Sequence, residues 1–104
     1  MHVISRKPFN DAAKQYPNDA GAIDALYKTL RNGTYTTPEK LRAMYPSLDN
    51  FRYKNKWWVI DIGGNNLRLI AFIEFRDQRL YVKHIVNHSA YDKLCKKYAK
   101  EVKS

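Results

Sequence analysis

The chain has 104 residues, with 44% apolar and 28% charged side chains, a size that supports one hydrophobic core and excludes a multidomain enzyme. Nineteen Lys and Arg against ten Asp and Glu give a net charge of +9, and residues 51–104 hold twelve of the basic side chains against five acidic ones, so a polyanion is the expected partner. A single cysteine, Cys95, excludes an intrachain disulfide and a cysteine-based metal cluster; with no signal-like N-terminus and no long apolar run, the chain reads as soluble and cytoplasmic, with no membrane partner.

Pro8 suits a first helical turn, and Phe9, Ala12, Ala13 and Tyr16 follow at helical spacing until Pro17 closes the helix. Asn18 is placed to cap a second helix carrying Ile23, Leu26, Tyr27 and Leu30, and Gly33 to end it in a left-handed conformation. Thr36 and Glu39 have capping-box spacing for a short third helix with Leu41 and Met44, stopped by Pro46. From Asn50 onward the texture changes. FRYKNKWWVIDI, NLRLIAFIEF and RLYVKHIVN are rich in aromatic and β-branched residues and are separated by turn compositions, which predicts antiparallel strands. Ser89 and Asp92 form another capping box, and Tyr91, Leu94, Cys95, Tyr98 and Val102 trace the apolar face of a closing helix. The expected fold is α+β: an antiparallel sheet with the N-terminal helices packed on one face, and a C-terminal helix.

Taking Asp77 and Gln78 as the centre of the last hairpin sorts the two sheet faces. Leu69, Ala71, Ile73 and Phe75, opposite Val86, His84, Val82 and Leu80, make the core face. Arg68, Ile70, Phe72 and Glu74, opposite Asn87, Ile85, Lys83 and Tyr81, make a face that mixes cations with aromatics. An arginine in such a strand is costly unless it reaches solvent, a carboxylate or a phosphate. Two readings of Arg68 stand: a salt bridge to Glu74 or Asp61, or, with Lys83 on the same face, an anion site.

His84 and His88 are four residues apart, which along a strand is about 13 Å, so a metal pair is not expected; His84 reads as a satisfied, partly buried histidine. His88 stands where the last strand meets the last helix, and with Tyr91 it flanks a helix N-terminus that favours anions. The alternative is that Tyr91 only packs in the helix stripe. Lys54 and Lys56, in the turn before Trp57, are placed to reach the same rim or merely to be solvated, and Trp57, Trp58 and Tyr53 either stack on bases or fill core.

PSLDNFRY at 46–53, the turn lysine in NKWWVIDIGGN, NNLRLIAFIEF at 65–75 and VKHIVNHSAYD at 82–92 together resemble the HigB toxins, a branch of the RelE-like, ribosome-dependent mRNA interferases. The resemblance runs essentially end to end. It implies one RelE-like domain over residues 1–104 with a positively charged sheet face, and cleavage of messenger RNA in the decoding site of the 70S ribosome. It also implies a HigA-type helix-turn-helix antitoxin as partner, with operator DNA bound through that antitoxin. Carried over by position, it implies Arg68, His88 and Tyr91 as catalytic residues and Lys54, Lys56 and Lys83 as RNA-binding residues, with no cofactor and no metal.

That inventory suits RNA cleavage by the substrate's own 2′-hydroxyl, which needs a group to take a proton, donors for the phosphorane and a proton for the leaving oxygen. His88 suits acid–base work, Tyr91 orients, donates a proton or stacks, and Arg68 with Lys56 and Lys83 opposes the growing charge. Two rival readings are a non-catalytic basic RNA- or DNA-binding module and a ParE-like gyrase poison.

Overall fold

The strand-rich second half supplies most of a sheet that the first half covers with helices. The computed structural model describes residues 1–103, with side chains as far as Glu101. In chain order the elements are β1 (His2–Ile4), α1 (Lys7–Gln15), α2 (Ala20–Asn32), α3 (Pro38–Met44), β2 (Asp49–Asn50), β3 (Trp57–Ile62), β4 (Leu67–Glu74), β5 (Arg79–Asn87) and α4 (His88–Lys103). The strands form one sheet in the order β1-β5-β4-β3-β2. The class is α+β as expected, but the sheet is mixed, because β1 pairs with β5 in parallel while the other pairs are antiparallel. Val3 sits beside Leu80, and both are buried; a three-residue strand has too little alternation to be read from its sequence.

The apolar stripes of α1 and α2 place Phe9, Ala12, Ile23, Leu26 and Leu30 in one core with Ile60, Leu67, Leu69, Ile73 and Leu80, each large side chain contributing about 1.5–3 kcal/mol of burial. α4 lies on the opposite face. Its Tyr98, with the half-buried Tyr91, Leu94 and Cys95, packs on Phe51, Val59 and Ile70; Val102, expected on that stripe, is outside the described side chains. Leu69 and Ile70 are therefore both 0% exposed, which is why β4 reads as an apolar run rather than an alternation.

The hairpin register differs from the expected one in two steps. The turn is Phe75–Gln78, with Gln78 at φ 55 and Glu74 paired to Arg79, so the pairing slides by two residues and every side chain near the turn keeps its expected face. Farther along, Ile70 pairs with His84 while Ala71 pairs with Val82, leaving Lys83 as the extra residue of a bulge. One extra residue exchanges the faces: His84 turns away from the helical core to bond the Tyr98 hydroxyl at 2.9 Å, and Ile85 joins the core instead. Arg68 consequently sits beside Val86 rather than Asn87.

The helix ends also shift. A short 3-10 turn at Pro17–Asp19 precedes α2, so Asn18 is not its cap. Gly33 is extended rather than left-handed, at φ −103 and ψ 165. It is required by a close approach: a Cβ there would meet the Tyr35 hydroxyl at 2.3 Å, the hydroxyl that donates to the Thr29 carbonyl at the end of α2. Thr37, not Thr36, caps α3 through Lys40 N–H. β5 runs into α4 without a loop, so the cap of α4 is Asn87, whose Oδ1 accepts from Ala90 N–H at 3.0 Å, and Ser89 lies inside the helix.

Candidate active site at the junction of sheet and last helix

Arg68 rises from the start of β4, the central strand of the sheet, at one end of the outer face, and that position fixes what it can touch. Asp61, its neighbour on β3, lies 3.7 Å from Nη1, close enough for attraction but too far for a good hydrogen bond. Glu74, the other carboxylate considered for it, is taken by Lys56 at 2.6 Å, which holds the Glu74 carboxyl below its usual range. The guanidinium lies 4.7 Å from the centre of the Tyr91 ring, a cation–π arrangement. Nη2 donates to Asn65 Oδ1 at 3.2 Å and faces His88 Nδ1 at 3.5 Å. Nε is buried without a hydrogen-bond partner, a cost that an arginine placed only for stability would not be expected to carry.

His88 is the first residue of α4 and is exposed. Its Nε2 lies 2.5 Å from the Asn65 carbonyl oxygen. A carbonyl only accepts and a guanidinium only donates, so the two contacts assign a hydrogen to Nε2 and a lone pair to Nδ1. The lone pair points toward the Arg68 cation. Tyr91, one helical turn on, has its phenol pushed up to about 12, chiefly by burial and then by Cys95, with Arg68 opposing. It remains a protonated donor across the physiological range and is a poor base.

Arg68, His88 and Tyr91 thus converge, with Asp61, one of the two carboxylates expected for Arg68, beside them, and one residue that sequence reasoning missed, Asn65, completes the cluster. Asp61 faces Arg68 by strand pairing, and Asn65 reaches both Arg68 and His88 from the β3–β4 turn. The Gly-Gly-Asn-Asn run was legible as a turn, but nothing local told where its side chains point. What the cluster offers a ligand is a cation with the Asp61 carboxylate beside it, a phenol, an amide and an imidazole, and among the described residues no three His, Cys, Asp or Glu side chains converge.

The three lysines lie elsewhere on the same face. Glu74, which holds Lys56, is six residues along β4 from Arg68, about 20 Å by strand rise. Lys54 pairs with Glu101 at 3.1 Å and lies over the Tyr98 ring, and Lys83 lies 5.5 Å above the Trp57 ring. The expectation that Lys54 and Lys56 share a rim with His88 is therefore not met: the turn that carries them is at the far end of β3, and α4 packs between. Residues 50–57 instead line an open bowl of about 410 Å³ in which Lys54 and Lys56 are joined by Arg52 stacked on Tyr53. Trp57 is half-buried beneath Lys83 and packs against Phe51 and Tyr98 under α4, while Trp58 packs edge-on against Phe75 in the helical core. His84 is half-buried, and burial, then Lys97 and Lys83, lowers its pKa.

Comparison with known proteins places this chain in a family. Residues 19–94 match the HigB toxin family, described as the RelE-like toxic component of a toxin-antitoxin system; the span contains the Arg68–His88–Tyr91 cluster and all three lysines. The chain is 53% identical over 98 residues to the mRNA interferase HigB of Escherichia coli O6:H1, covering 94% of this chain and 95% of that protein. It is 41% identical over 92 residues to the mRNA interferase toxin HigB of Escherichia coli K12, and equally to the mRNA interferase HigB of Shigella flexneri, covering 88% of each chain. A match over most of the length, with the fold and the clustered side chains described above, makes this chain a member of the HigB family of RelE-like toxins.

Proposed function

We propose that the chain is the toxin of a toxin–antitoxin pair and cleaves messenger RNA engaged on the 70S ribosome, with Arg68, His88 and Tyr91 as its catalytic residues. The family and its relatives named as mRNA interferases support the activity. The observation that carries the site is the convergence of Arg68, His88 and Tyr91 at one end of the outer sheet face, with the His88 Nδ1 lone pair turned toward the Arg68 guanidinium.

In this reading the scissile phosphate lies on the Arg68 head. The His88 Nδ1 takes the proton of the 2′-hydroxyl as that oxygen attacks phosphorus, and the phosphorane's growing charge is opposed by the guanidinium. The P–O5′ bond breaks, giving a 2′,3′-cyclic phosphate and a 5′-hydroxyl, and the leaving oxygen takes its proton from the Tyr91 phenol or from the newly formed imidazolium. Lys54, Lys56 and Lys83 hold phosphates farther along the strand, and Trp57 offers a ring for stacking. The partner that silences the toxin is a HigA-type helix-turn-helix antitoxin, through which the pair reaches operator DNA, and the whole acts in the cytoplasm.

The test is cleavage of a message on programmed ribosomes. Arg68→Ala and His88→Ala, each still folded, are expected to lose about 10²–10³ in rate, and the wild-type product to carry a 5′-hydroxyl end. Undiminished cutting by both variants removes the site assignment. Salt-dependent binding with an intact message in the wild type leaves a non-catalytic module, and breaks in DNA instead of RNA leave a gyrase poison.

A further inference from the structure

We propose that Asn65 is a positioning residue for this cleavage, holding His88 in one tautomer through its backbone carbonyl and setting the Arg68 head through its side-chain amide. The inference rests on the assignment of Arg68 and His88 to the catalytic site. Asn65 is the only residue that bonds both of them among the described contacts: Oδ1 accepts from Arg68 Nη2 at 3.2 Å, and the carbonyl oxygen accepts from His88 Nε2–H. Because a carbonyl only accepts, the ring hydrogen sits on Nε2, and the bond selects the imidazole form in which Nδ1 keeps its lone pair and can take a proton.

The chain arranges this at a conformational cost. Asn65 is at φ 89, a region L residues rarely enter, immediately after Gly63 and Gly64 at φ 62. An asparagine with positive φ is common in turns, where its side chain often bonds its own backbone. Here the Asn65 side chain bonds Arg68, and the turn is closed by Asn66 N–H to the Gly63 carbonyl. The turn is also anchored from below, since Asn66 Nδ2 donates to Asp19 Oδ1 at 3.2 Å ahead of α2. A Cβ on Gly63 would meet that same oxygen at 2.5 Å, so glycine is needed for the anchor to approach. The helical layer thereby fixes a turn that fixes the two reactive side chains on the far face of the sheet.

Asn65→Gly separates the two bonds: it tolerates the positive φ and keeps the carbonyl for His88, removing only the amide bond to Arg68. Asn65→Asp retains an acceptor. In single-turnover cleavage on programmed ribosomes, Asn65→Gly is expected to lose about tenfold to a hundredfold in rate with the half-saturating concentration unchanged. Asn65→Asp should recover most of that loss. In an Arg68→Ala background, Asn65→Gly should cost nothing more, because the bond it removes is already gone. A parental rate in Asn65→Gly beside a defective Arg68→Ala overturns the Asn65 inference alone, as does an Asn65→Asp as slow as Asn65→Gly or a full additional loss on Arg68→Ala. A parental rate in Arg68→Ala and His88→Ala overturns the catalytic assignment itself, and the positioning role with it.

Discussion

A phenol held neutral beside an arginine does different work from one that ionises. Burial favours the uncharged Tyr91 and outweighs the attraction of Arg68 for a phenolate, which is why the pKa rises to about 12 despite a cation 4.7 Å from the ring centre. In the unfolded chain the group titrates near 10, so between about pH 10 and 12 the folded state binds more protons than the unfolded one and stability falls as pH rises. Below pH 10 both states hold the proton and the contribution is fully present. Tyr91→Phe should therefore flatten the alkaline loss of stability in that window relative to wild type, measured as the difference between their urea midpoints at pH 9 and pH 11.5. At the same scale, Arg68 is legible because a charge in an apolar strand breaks its local pattern and His88 because it stands at a helix start, whereas Tyr91 fits the apolar stripe of the helix and is singled out as catalytic only by the resemblance. Asp61 is legible only as one of two carboxylates that Arg68 could meet, and Asn65 breaks no pattern, since an asparagine in a turn is ordinary; its importance arises only from what the sheet brings next to it.

Helical stripes in the first half translate directly into α1 and α2, and aromatic, β-branched runs into β3, β4 and β5. The bulge at Lys83 was not legible, because an extra residue exists only relative to a partner strand, and the parity it changes decides whether His84 meets the core or Tyr98. The helix starts differ from local spacing for a related reason: β5 passes straight into α4 and places Asn87 at the boundary. That cap matters to the site, because His88 is the next residue and its ring direction follows the first turn of α4. Asn87→Ala is expected to lower stability by about 1 kcal/mol, the ordinary cost of an N-cap, read from urea denaturation with an unchanged slope. Because the first turn frays, the same variant should also lose cleavage rate; Asn87→Ser, which restores a capping oxygen, should recover both.

Over the whole molecule the excess of positive charge was legible from composition, but its usable distribution was not, since that depends on which cations are already paired. Lys56 is engaged by Glu74 at 2.6 Å and Lys54 by Glu101 at 3.1 Å, whereas Lys83 rests on the Trp57 ring, which attracts it weakly. A phosphate arriving at Lys56 must displace a carboxylate, so the gain from contact is offset by a broken pair; at Lys83 little is given up. Binding of a single-stranded RNA, measured across salt concentrations, separates these cases. Each phosphate contact on a single strand contributes about 0.7 to the slope of log K against log salt. Lys83→Ala should reduce the slope by about that amount, and Lys56→Ala by less. Glu74→Gln should tighten binding by releasing Lys56, and should make a subsequent Lys56→Ala as costly as Lys83→Ala. An unchanged slope in both lysine variants, with no gain from Glu74→Gln, would mean that the RNA does not pass over this end of the sheet.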